Sequence, residues 1–184
     1  MFGDVGYIVG QCLSGVAVLV GFISFQQKTP GRILSCEIIS ASLFTLHYLL
    51  IGAITAVALN LLGVVQCIVY YFRDKRGSKS KLWPIIFTVL VVASGILTWE
   101  GWHSAFIVFG LGVYSVSIAF PNAQTIRYAM FLKSPACLVY NAVAFSIGGV
   151  AYECAVLLSS VIGTVREHLS RKKTTMKSFF QKGV

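Results

Sequence analysis

The sequence has little charge. Only 11% of its 184 residues are Asp, Glu, Lys or Arg, where a soluble domain carries about a quarter. The few charges fall in short clusters between long apolar runs, and 57% of the chain is hydrophobic. That pattern excludes an ordinary soluble domain and points to a multi-spanning membrane protein. Acidic residues are scarcer still, six against fifteen basic, for a net charge of +9. Excess positive charge can mark nucleic-acid binding, but no basic stripe interleaved with aromatics stands on a polar domain, so nucleic acid is not an expected partner.

Motifs for chemistry are missing too. The five cysteines (Cys12, Cys36, Cys67, Cys137, Cys154) all sit inside apolar runs and none pairs as CxxC. An odd, buried set reads as small packing residues, not as a disulfide framework or a zinc site. There is no HExxH, no paired aspartates and no Ser–His nucleophile spacing. The three histidines, at 47, 103 and 168, form no i, i+4 pair. No GKS/T or GxGxxG follows a strand, so Gly148 and Gly149 read as a tight turn between spans and not as a phosphate loop. An enzyme, a metal and a cofactor are therefore not expected. The first apolar run, 5–25, follows Asp4 with no lysine or arginine before it, so it lacks the basic flank of a cleaved signal and reads as a retained helix.

What the chain does have is seven apolar runs, at roughly 6–26, 33–51, 54–72, 82–99, 103–120, 125–146 and 149–166. Each is close to the ~20 residues a span requires. With the N-terminus outside, Lys28, Arg32, the five basic residues from Arg73 to Lys81, Arg127 and the tail all face the cytoplasm. The opposite side then carries only Asp4 and Glu100. This segregation sets an N-outside, C-cytoplasmic orientation in a plasma membrane, with Trp99 and Trp102 as outer anchors and Trp83 as an inner one. The polar, basic tail after Arg166 is expected to fray or to lie on the membrane surface, where anionic lipid would attract it.

An internal repeat orders the spans. Setting "HYLLIGAITAVALN" (47–60) over "YNAVAFSIGGVAYE" (140–153) gives an offset of 93, which also brings Arg73 onto Arg166. Upstream, a slip to 95 sets "GVAVLVGFISFQQ" (15–27) over "GLGVYSVSIAFPN" (110–122) and Arg32 onto Arg127. An odd span between the halves gives them the same orientation, a parallel repeat about an axis along the membrane normal. The expected fold is all-α membrane, with seven transmembrane helices in two parallel three-helix repeats joined by a linker helix. The boundaries are 1–74 for the first repeat, 75–102 for the basic loop and linker helix, 103–168 for the second repeat and 169–184 for the tail.

This plan resembles the SWEET and PQ-loop transporters. Those families carry Pro-Gln at the inner end of the first span of each repeat, where this chain has Gln26-Gln27 and Pro121-Asn122. In detail the chain is similar to the YgjV-type bacterial inner-membrane family over roughly residues 10–168. The likeness is carried by "VGFISFQQKTPGR", "HYLLIGAITAVALN" and "YNAVAFSIGGVAYE". That family's second-repeat segment begins His-Asn, but this chain has Tyr140-Asn141, so no histidine role carries over there. The resemblance implies a fold more than an activity.

Polar residues inside spans must face protein or water. Glu37, Ser40, Phe44 and His47 share one helical face, and Asn60, Gly63, Cys67 and Tyr70 another. Lys133, Cys137 and Tyr140, with Asn141 beside them, form a third face, and Glu153, Val156, Ser160 and Gly163 a fourth. The repeat superposes these faces, which suggests a midplane cavity between the halves with His47, Asn60, Lys133, Tyr140, Asn141 and Glu153 as its solute-binding residues. Lys133 lies about 13 Å deep at 1.5 Å per residue. It either snorkels to the interface or pairs with Glu37, or it lines the cavity and binds an anionic solute or pairs with Glu37 or Glu153. Tyr70 and Tyr71 read as interface residues. Gln26, Gln27, Pro30, Pro121, Asn122 and Pro135 are the expected hinges, with Pro135 able to kink its helix. Two functions fit. One is a carrier for a small polar solute that rocks about the cavity. The other is a scaffold or lipid-binding protein using the basic tail. Either could work alone or as a homo-oligomer.

Overall fold

The structure is a computed structural model. It describes residues 3–75, 82–120 and 122–182, with side chains at 5–75, 82–120, 122–170 and 172. Among the described residues all regular structure is helical: α1 (Gly3–Gln26), α2 (Pro30–Ile51), α3 (Ile54–Lys75), α4 (Leu82–Leu97), α5 (Ser104–Ser117), α6 (Ala123–Val143) and α7 (Ile147–Lys182).

Local sequence explains the boundaries. α2 begins with Pro30, whose fixed φ suits a first helical position where an N–H would have no partner. It ends at Gly52, left-handed at φ 82°, whose N–H bonds Tyr48 O. At the start of α6, the Asn122 side chain accepts from Gln124 N at 2.9 Å. The turn into α7 passes through Phe145 at φ 52°. Gly148 and Gly149 do not make that turn; they lie in the first turn of α7. A Cβ at 148 would overlap Ser14, and one at 149 would overlap Asn141, so close helix approach requires both glycines. α4 and α5 stop short of the expected 99 and 120, and α7 continues helical through the basic tail to Lys182.

α1, α2, α3 and α7 (as far as Ser170) are long and apolar enough to cross a membrane. α4 and α5 are shorter apolar helices of 16 and 14 residues, or about 24 and 21 Å at 1.5 Å per residue. The helices form a ring in which α1 packs on α2, α2 on α3, α3 on α5, α5 on α6, α6 on α7 and α7 back on α1. α2 also meets α6 across the middle, while α4 stands outside the ring against α3 and α5. Large apolar side chains such as Leu19, Ile85, Ile96, Phe109 and Leu158 face outward, as lipid contact requires.

Hydrogen bonds tie both ends of the ring. At the end bearing the basic clusters, Arg73 donates to Ala119 O at 2.8 Å and Arg166 donates to Gln26 O. Gln66 donates to Ser115 O at 3.3 Å and Ser159 to Phe22 O at 2.7 Å. Arg127, 1% exposed, donates to Phe25 O at 3.1 Å and Gln27 O at 2.6 Å, and pairs with Glu167 at 3.0 Å. It thus caps the C-terminus of α1 with a cation, the favourable sign there. At the opposite, tight-turn end, Glu100 accepts from Ile54 N at 2.7 Å and from Tyr140 OH at 3.0 Å. Gly148 N donates to Gln11 Oε1 at 3.1 Å, and Thr55 and Ser104 hydroxyls lie 3.4 Å apart. Tyr70, expected at an interface, is fully buried, with the Arg73 guanidinium 4.3 Å above its ring.

Candidate functional site

Lys133 enters the ring interior from α6. Its Nζ lies 2.9 Å from Glu153 Oε1 of α7, and both side chains are buried, at 6% and 3% residue exposure. The lysine's partner is therefore Glu153, not Glu37. Glu37 of α2, 6% exposed, instead accepts at Oε2 from Tyr152 OH at 3.1 Å. The Lys133 ammonium also sits 5.1 Å from the Tyr152 ring centre and 6.0 Å from that of Tyr114, within cation–π range. Two carboxylate oxygens, Glu37 Oε1 and Glu153 Oε2, have no hydrogen-bond partner among the described residues.

These groups face a cavity of about 50 Å³, walled by α2, α3, α5, α6 and α7. That volume admits a few waters, at about 10–15 Å³ each. Aromatic rings of Phe44, Tyr48, Tyr114 and Tyr152 form much of the wall. Tyr48 OH donates to Asn141 Oδ1 at 2.6 Å, joining α2 to α6. Cys67 Sγ lies 3.7 Å from Tyr114 OH, joining α3 to α5. α1 does not line the cavity but supports it through Gly21, where a Cβ would overlap the Tyr152 ring.

Of the expected solute-binding residues, Asn60, Lys133, Asn141 and Glu153 line the cavity; His47 and Tyr140 do not. His47 shares the buried face of α2 with Glu37, as the spacing predicts, but it lies higher, towards the tight-turn end. Its Nδ1 is 2.9 Å from Gly10 O and its Nε2 2.8 Å from Ser146 Oγ. Tyr140 is drawn away by Glu100. Asn60 Nδ2 donates to Ala56 O within its own helix at 2.9 Å.

The hinge residues have fixed partners. Gln26 Nε2 donates to Ser159 Oγ at 3.0 Å and Gln27 Nε2 to Ile23 O at 3.1 Å. Pro30 and Asn122 start helices, and Pro121 lies outside the described residues. Pro135 is exposed within a helix that runs unbroken from Ala123 to Val143.

Among the described residues no three His, Cys, Asp or Glu side chains gather as a metal site. Sequence reasoning passes over Tyr152, Tyr114, Gln66 and the buried role of Arg127. Tyr152 does stand next to Glu153 in sequence, but adjacent helical residues point about 100° apart, so that adjacency does not announce a shared site.

Comparison with known proteins supports the membrane setting. The sequence matches, over residues 8–171, the Imp-YgjV family, described as a bacterial inner membrane protein. The chain belongs to this family. Imp-YgjV membership marks this as a bacterial inner membrane protein, and the four long apolar helices and the outward apolar side chains agree with it. No curated protein and no solved structure matches the sequence.

Proposed function

We propose that the protein is a facilitator or carrier for a small polar solute, with α1–α3 and α5–α7 as two like-oriented units that rock about the cavity and α4 as their linker. The observation that carries this reading is the buried Glu153–Lys133–Tyr152–Glu37 chain, which faces a cavity walled by both units. Buried charge in a membrane interior is costly and marks solute or ion pathways. A scaffold has no comparable use for unpartnered carboxylate oxygens at the centre of the bundle.

The bonding pattern supports the two-unit plan. Arg73 to Ala119 and Arg166 to Gln26 are the same contact shifted by 93 positions. Gln66 to Ser115 and Ser159 to Phe22 repeat at the same shift, as do Thr55–Ser104 and Gly148–Gln11. A single offset of 93 therefore serves all three helix pairs without the upstream slip to 95, and sets Gln26 opposite Ala119 instead of Pro121. Tyr48 and Asn141, themselves 93 apart, bond to each other, as residues on a two-fold axis do. The orientation in this reading stays N-outside and C-cytoplasmic.

The test is a thermal-stability screen of the purified protein against small polar metabolites, followed by uptake of any hit into proteoliposomes. A binder raises the unfolding midpoint by mass action. The expected result is a hit that Asn60→Ala and Glu153→Ala lose while both variants remain folded. A well-folded protein with no hit and no flux would remove the carrier reading.

A further inference from the structure

The cavity does not balance its own charge. Around Glu37 stand Tyr48 from its own helix, Cys67 from α3, Tyr114 from α5, Lys133 and Cys137 from α6, and Tyr152 and Glu153 from α7; α1 contributes the Ser24 hydroxyl. Phenols and thiols are neutral at neutral pH. That leaves one ammonium against two carboxyls. Lys133 is engaged with Glu153, and Glu37 meets only neutral hydroxyls, those of Tyr152 and Ser24, with no counter-charge of its own. An ionised carboxylate buried without a counter-charge is costly enough that such a group neutralises instead.

We infer that the cavity is a proton-binding site: the Glu37–Glu153–Lys133 cluster holds one exchangeable proton, resting on Glu37. The proton moves between a cavity water and a Glu37 carboxylate oxygen, so its gain or loss changes the cluster by one charge and breaks no other bond. The cavity has room for the waters that would exchange it. This deepens the carrier reading and rests on it for its use. A neutral solute would travel with the proton.

The count of charges makes the test sharp. Infrared spectroscopy of the purified full-length protein distinguishes a protonated carboxyl carbonyl from a carboxylate. The sample is held at neutral pH with N-methylglucamine as the only added cation. Wild type should show one buried acid band. Glu37→Gln should abolish it. Glu153→Gln should abolish it as well, because Glu37 then pairs with Lys133 and ionises. Lys133→Met should double it. Tyr152→Phe, which leaves the charges alone, should keep the band and shift its frequency.

Absence of the band in wild type, or its survival in both glutamine variants, overturns the proposal. Loss of the band on adding sodium or ammonium chloride also overturns it, by making the site one for a metal or ammonium ion. Uptake assays separate this from the carrier reading. No flux with the band arithmetic intact removes the carrier alone, and flux without the arithmetic removes the proton site alone.

Discussion

Lys133 is held by a carboxylate and two aromatic rings in a place where water is scarce. Removing one member of such a pair strands the other, at a cost of about 3–5 kcal/mol. Lys133→Met should fall near the lower end of that range, because Glu153 can take up a proton. The double variant Lys133→Met/Glu153→Leu should recover most of the loss. Thermal unfolding in detergent checks both; a single variant as stable as wild type would mean that the lysine reaches the interface and not the glutamate. Much of this site is legible in the sequence because ionisable side chains are rare in spans and each one demands a partner. The choice of partner is not. Glu37 and Glu153 are the same residue type, and only helix packing decides which meets the lysine. Nor do Tyr152 and Tyr114 stand out, since tyrosine in an apolar run commonly marks an interface.

At the level of the helix, glycine decides how near neighbours come. Gly21 of α1 faces the Tyr152 ring, and the hydroxyl of that tyrosine donates to Glu37. Gly21→Ala should therefore cost about 1–3 kcal/mol, the usual range for overpacking, and should weaken whatever binds at Glu37. Gly15 lies on the same helix, and a methyl group there would meet nothing within 4 Å. Gly15→Ala should be neutral or stabilise by up to about 1 kcal/mol through helix propensity. Comparing the two melting curves separates packing from propensity; equal shifts would contradict the packing argument. The seven helices are legible from apolar runs and their polar breaks. Their ends are less so, because Thr98 and Ile118 finish α4 and α5 in turns that hydropathy does not register. Continuation of α7 to Lys182 is hidden for another reason: lysine and arginine are good helix formers, so a basic tail can stay helical beyond the apolar stretch.

Across the whole molecule, the ring is tied at both ends. If it opens towards the basic end, Arg73–Ala119 and Arg166–Gln26 must release. Cys67 and Cys137 are buried in the cavity wall and serve as native reporters. With Cys12, Cys36 and Cys154 replaced by Ser, Arg73→Ala and Arg166→Ala should each speed labelling of the two remaining thiols by a polar maleimide, and to a similar degree. Unchanged labelling in both variants would mean that these arginines do not hold the cavity shut. The ring order of the helices is not readable from the chain, since hydropathy says which segments are spans and not which of them touch.

The bond between Tyr48 and Asn141 carries one more consequence. On the two-fold reading these residues occupy one and the same place in the two halves. Two identical halves would set like against like there, phenol to phenol or amide to amide. Joining the halves in one chain frees each copy to change alone, so that a donor can face an acceptor at the one point where symmetry would otherwise forbid the difference. The same freedom lets Lys133 and Glu153 stand where the first half keeps Ser40 and Asn60. On that reading the second half brings an ion pair to the cavity where the first brings a single carboxyl, Glu37, and a bound molecule would meet the two sides in one orientation.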